Sequence, residues 1–130
     1  GRNAYFDHPH RMANDELVKG DPFLEQIAYL HDVFEFTDTT TQNLRDAGFD
    51  EEVIEAVQIL TRKPRQLIDS PDYIQQVYDS IEARFVKITE IKDNLNPRRM
   101  YPMSEPDFER RKRYMKALAF LMDKECRWTE

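Results

Sequence analysis

Apolar residues recur along this chain at the spacing of helices, not at the alternation of strands. Phe23, Ile27, Leu30 and Phe34 form one stripe, and Leu24, Ala28, His31 and Glu35 an adjacent one. A helix apolar over two neighbouring stripes predicts a central, buried helix, and Asp21 followed by Pro22 marks its start. Before it, Asp7 or His8 predicts the entry to a first helix, with Pro9 near the first position, where a missing N–H is harmless. After it, the Thr37-Asp38-Thr39-Thr40-Thr41 turn leads into a short helix over 42–47 that Gly48 closes.

The second half repeats the pattern. Asp50 caps a helix burying Val53, Ile54, Val57 and Leu60, and Pro64 marks its limit. Ser70-Pro71-Asp72 opens a helix carrying Tyr73, Ile74, Val77 and Tyr78, with a brief break at Asp79-Ser80. Residues 81–95 follow, with Phe85, Ile88, Ile91 and Leu95 apolar and Asn96-Pro97 as the stop. Residues 98–105 read as an irregular connector. A last helix over 106–125 is predicted to bury Phe108, Met115, Leu118, Ala119 and Met122. The expected fold is all-α, a single compact bundle of about six helices filling residues 1–130.

Composition narrows the partners. With only three glycines among 130 residues, helix is favoured throughout. The formal net charge of −6 argues against a nucleic-acid polymer or a membrane surface as the main partner. No apolar run approaches the roughly 20 residues of a membrane span, and no signal peptide is visible. The single Cys126 permits no internal disulfide, so the expected compartment is the cytoplasm. Oligomeric state leaves no mark in the sequence.

Ionisable residues placed among apolar ones change the picture further. His31 and Asp32 interrupt the apolar run from Tyr29 to Thr37, and Glu35 lies one turn beyond the imidazole. His8 stands early in the chain, and Glu90 and Asp93 lie late, inside the last turns of an apolar pattern. The bland reading of His8 and His10 is an exposed His-Pro-His turn, and that of Glu90, Asp93 and Asn94 a polar helix end. The sharper reading is a divalent-metal site, with His8, His31 and Asp32 joined by Glu90 or Asp93. Mixed imidazole and carboxylate donors suit Mn²⁺, Fe²⁺ or Zn²⁺ rather than Ca²⁺.

The order of these residues resembles a known family, the HD-domain metal-dependent phosphohydrolases. Within it, the chain resembles the alarmone hydrolase branch, whose members hydrolyse guanosine tetraphosphate and pentaphosphate. His8-Pro9 with Arg11-Met12-Ala13 is similar to that branch's His-Pro-x-x-Val-Ala, and Leu30 to Thr37 to Leu-His-Asp-Val-Val-Glu-Asp-Thr. Residues 40–49, 57–62 and 83–94 are similar to Thr-x-x-x-Leu-x-x-x-Gly-Phe, Val-x-x-Leu-Thr and Ala-x-x-Val-Lys-Leu-Ala-Asp-Leu-x-Asp-Asn. The resemblance implies a metal, manganese by preference, held by His8, His31, Asp32 and Glu90. It implies Glu35 as the residue that orients or activates water, and Asn94 as a nucleotide contact. Lys87, Arg98 and Arg99 are candidate phosphate contacts.

The chain departs from the pattern at three places. Glu90 stands where the family has Asp, and its extra methylene shifts the carboxylate by more than ~1 Å against metal–ligand distances near 2 Å. Phe36 stands where alarmone hydrolases carry a second carboxylate. Ahead of His8 lie only residues 1–7, where the family has a helix and a basic loop. The expected activity is therefore metal-dependent hydrolysis of a nucleotide phosphoester or pyrophosphate, alarmone hydrolysis being its narrower form. The alternatives are a nucleotidase with another substrate and a non-catalytic module that binds a nucleotide or a protein.

Overall fold

The computed structural model describes the backbone of residues 4–96 and 104–127, and side chains at 8–96 and 104–122. The described residues form eight helical segments and no strand. The all-α expectation therefore holds. The predicted contacts Arg98 and Arg99 lie outside the described residues.

The first helix, α1 (Ala4–Ala13), carries Pro9 inside it rather than at its start. The lost backbone bond is tolerated because α1 buries Met12 and Ala13 and is gripped from outside at His8 and Arg11. Next, α2 (Pro22–Leu30) begins as predicted. Asp21 accepts from the Phe23 and Leu24 N–H groups, and Pro22 takes the first turn.

The expected continuous helix to Phe34 breaks at His31-Asp32, and α3 (Val33–Phe36) resumes for one turn. The cause is local. His31 Nδ1 lies 2.6 Å from Ala28 O, the acceptor that an unbroken helix would offer to the Asp32 N–H. Thr37 then ends α3, its hydroxyl and N–H both reaching Val33 O.

The next helix follows its cap. Thr40 and Asn43 form a reciprocal capping box on α4 (Thr41–Asp46). Gly48, at φ +96°, closes it in a Schellman motif, with Gly48 N to Arg45 O and Phe49 N to Leu44 O. Then α5 (Glu51–Leu60) buries Val53, Ile54, Val57 and Leu60, the predicted stripe, although the expected cap Asp50 forms no side-chain bond to it. An irregular stretch leads to α6 (Pro71–Asp79). Ser80 separates it from α7 (Ile81–Asn94) and caps the latter through Ala83 N.

The central helix is α7, not α2. It contacts α1, α2, α5, α6 and the long α8 (Glu105–Arg127). Its burial extends almost all round, because Arg84, Lys87, Thr89 and Glu90 are inside along with Ala83, Val86, Ile88 and Ile91. Polar residues on every side hide this role from a periodicity argument. The buried face of α8 also differs from expectation. Ala117 and Leu121 are buried, whereas Phe108 and Met115 are 45% and 53% exposed and Ala119 is exposed as well. Leu118 and Met122 do pack against the core as predicted, but its centre on α8 is Ala117 and Leu121, with Tyr114 and Phe120 beside them.

Candidate metal centre

Three elements converge on His31. It leaves the end of α2 pointing inward and is 2% exposed. A carbonyl oxygen can only accept, so the contact with Ala28 O places the proton on Nδ1. The other ring nitrogen, Nε2, is buried and has no hydrogen-bond partner. Asp32 Oδ2 approaches it to 3.1 Å without hydrogen-bond geometry, and Glu90 Oε1 stands at 3.6 Å. Nε2 thus faces two carboxylates, a setting that favours a positive charge on or beside it. Burial alone would lower the His31 pKa, but Asp32 and Glu90 outweigh it and hold it above the ordinary histidine value.

His8 reaches the same place from α1. Its ring meets that of His31 edge to face, with centroids 5.3 Å apart. Its Nδ1 lies 2.5 Å from Asp93 Oδ2, and Arg11 grips the same carboxylate through Nε at 2.8 Å and Nη2 at 3.1 Å. Burial pushes the Asp93 pKa up, but Arg11 and His8 together hold it below the usual carboxylate range. Ionised Asp93 only accepts, so His8 also carries its proton on Nδ1. Both histidines are oriented through Nδ1, in the manner by which outer partners orient metal-binding imidazoles.

The two remaining carboxylates differ. The Asp32 side chain is 33% exposed and forms the open side of the cluster, whereas the Glu90 side chain is 11% exposed. Burial raises both pKa values. The His31 contact overcomes this for Asp32 and the Lys87 charge for Glu90, so both lie below the ordinary carboxylate values. Glu90, with its longer side chain, reaches His31, while Asp93 is engaged by His8 and Arg11.

The donor chemistry suits a divalent cation. Two donors on one metal at bonds of ~2.1 Å are separated by roughly 3.0–3.4 Å at right-angled to tetrahedral angles. The 3.1 and 3.6 Å separations at His31 Nε2 are of that order. The cluster is nonetheless not drawn in. Among the described residues, no group of three or more His, Cys, Asp or Glu side chains is gathered at the spacing of a metal cage.

The other sequence candidates fall in different places. Because the helix breaks between them, His31 and Glu35 do not share a continuous helical face. Glu35 instead accepts from Arg62 N at 2.8 Å, with Arg62 Nε 3.7 Å away. Lys87 is 3% exposed and lies 3.0 Å from Glu90 Oε1, which makes it an internal partner of the cluster. Burial would lower its pKa, but Glu90 and Tyr73 raise it well above the usual lysine value. Asn94 ends α7, half-buried. Phe36 is 66% exposed, so it serves no core.

Residues that periodicity did not single out complete the surroundings. A cleft of about 600 Å³ is lined by Arg62, Leu67, Arg110, Arg113 and Tyr114. Burial and then the Glu90 charge raise the Tyr114 pKa, which ties this cleft electrostatically to the cluster. Arg110 is also 3.4 Å from Asp107, one turn earlier. The sequence signal for this group was the basic run 110–113, which reads equally well as a solvated helix face. Arg11, three residues after His8 on the same helix, is the partner that helical spacing alone could have supplied. The chain matches no protein-family model and no curated protein.

Proposed function

We propose that this protein is a metal-dependent phosphohydrolase of the HD-domain type, acting on a phosphoester or pyrophosphate of a nucleotide. One observation carries the reading. His31 Nε2 is buried, lacks a hydrogen-bond partner and is faced by Asp32 and Glu90, while its Nδ1 proton is committed to Ala28 O. A buried nitrogen facing two carboxylates calls for a positive charge between them, a proton or a cation. A cation shared with His8, Asp32 and Glu90 would satisfy it.

A divalent metal there, manganese foremost, supplies Lewis acidity to a phosphoryl group and acidifies water. The chain's own residues do the rest. Asp32 leaves the cluster open on the solvent side. Arg62, Arg110 and Arg113 line a neighbouring cleft and offer positive charge to phosphate oxygens. Asn94, at the end of the helix that carries Glu90, holds the sugar or base. Glu35 orients a water from the Arg62 side.

The test is a hydrolysis panel with added manganese, comparing guanosine tetraphosphate with simple mono- and dinucleotides, for the native protein and Asp32→Ala. Manganese-dependent phosphate release that Asp32→Ala abolishes supports the reading. The cluster's open spacing and the engagement of Glu35 by Arg62 favour a second reading, a nucleotide-binding module without catalysis. Metal and nucleotide binding with no turnover of any panel member would select it.

A further inference from the structure

The acidic side of the cluster is balanced from within the core. Lys87 precedes Glu90 by one turn of α7, and its Nζ lies 3.0 Å from Glu90 Oε1. The ammonium also sits 5.4 Å from the centre of the Tyr73 ring, and the Tyr73 hydroxyl donates to Leu60 O at 2.5 Å. Its position is therefore fixed by α7, by α6 and by the end of α5. The same Glu90 Oε1 lies 3.6 Å from His31 Nε2. One carboxylate oxygen thus stands between a permanent internal cation and the unpartnered nitrogen. With Lys87 only 3% exposed, its charge faces the cluster and not a substrate.

Two carboxylates facing a buried imidazole are costly to desolvate without a positive partner. Asp32 keeps contact with water, its side chain being 33% exposed, whereas the buried Glu90 has Lys87. A lysine so close to a metal donor also repels an incoming dication, since the interior screens charge weakly. We propose that Lys87 is a built-in counter-cation, which lets the candidate metal centre assemble without metal and weakens its hold on a divalent ion. The inference rests on the metal reading of His8, His31, Asp32 and Glu90. It predicts a protein that folds metal-free and exchanges its metal.

The test compares the full chain with Lys87→Gln, using calorimetric titration with manganese chloride and thermal unfolding of the metal-free proteins. Lys87→Gln is expected to unfold several degrees lower without metal. It is expected to bind manganese roughly tenfold more tightly or better, and so to show a larger metal-induced rise in Tm than the native protein. A merely structural lysine would not tighten metal binding when removed. Native binding of manganese with equal or weaker binding by Lys87→Gln overturns the inference and leaves the metal reading standing. No manganese binding by the native protein overturns both. If Lys87→Gln does not fold, Lys87→Gln with Glu90→Gln decides. Folding of the double variant supports the counter-cation, and its failure to fold shows that packing alone needs the lysine.

Discussion

His8 Nδ1 and Asp93 Oδ2 lie 2.5 Å apart, joining α1 to the end of α7 across 85 positions of sequence. Arg11, one turn after His8, closes on the same carboxylate. The arrangement clamps the first helix onto the central one. It also fixes the ring of His8 beside that of His31.

Asp93→Asn removes the charge from this clamp while keeping its size. Stability is expected to fall by about 1–3 kcal/mol in urea unfolding, because Arg11 and His8 lose a charged acceptor. On the metal reading, manganese affinity falls roughly 10–100-fold as His8 loses its orientation. The stability loss is expected with or without metal.

Glu35 separates structure from chemistry. Glu35→Ala frees the Arg62 N–H and is expected to lower stability by about 1 kcal/mol. Glu35→Gln keeps an acceptor for Arg62 and should unfold close to the native protein. If Glu35 handles water, both variants lose turnover. If only Glu35→Ala does so, its role is to hold the Arg62 loop.

The face of α8 is testable by contrast. Leu121 is fully buried, so Leu121→Ala should cost about 2–5 kcal/mol. Met115, which periodicity placed inside, is 53% exposed, and Met115→Ser should stay within about 0.5 kcal/mol of native. Equal losses would return Met115 to the core.

Tyr73 gives a pH signature. Burial, opposed by Lys87 and aided by Glu90, raises its phenol pKa in the folded state. Its contribution is therefore intact below the unfolded tyrosine value of about 10 and is lost as pH rises through the folded value. Tyr73→Phe should be about 1–2 kcal/mol less stable at neutral pH, where Leu60 O loses its donor. Above pH ~10 the gap between the two proteins should narrow in denaturant titrations.

Several helix boundaries are legible because they depend on neighbouring residues, although the start of α1 and the end of α2 are not. Asp21-Pro22 and the Thr40–Gly48 segment behave as their chemistry dictates, and Pro71 takes the first turn of α6, but Asp50 and Ser70 precede their helices without a side-chain cap bond. The choice of central helix was not legible. Arg84, Lys87 and Glu90 lie inside α7, and only tertiary partners such as Tyr78 and His31 make that tolerable. The break at His31 is invisible to apolar spacing because it arises from a side chain taking a backbone acceptor. Of the candidate donors, the sequence left Glu90 and Asp93 open. The fold separates them by partner, Glu90 toward His31 and Lys87, Asp93 toward His8 and Arg11.

The central claim is that the unpartnered nitrogen of His31 belongs to a metal centre. Equilibrium dialysis against manganese, with metal content read per chain, tests it most directly. Asp32→Ala is the paired variant, because the Asp32 side chain is 33% exposed and its loss leaves the core intact. The account predicts about one equivalent bound by the native protein and a large loss in Asp32→Ala, with unchanged helical content by circular dichroism. Absence of bound manganese in the native protein, or equal binding by Asp32→Ala, would contradict it.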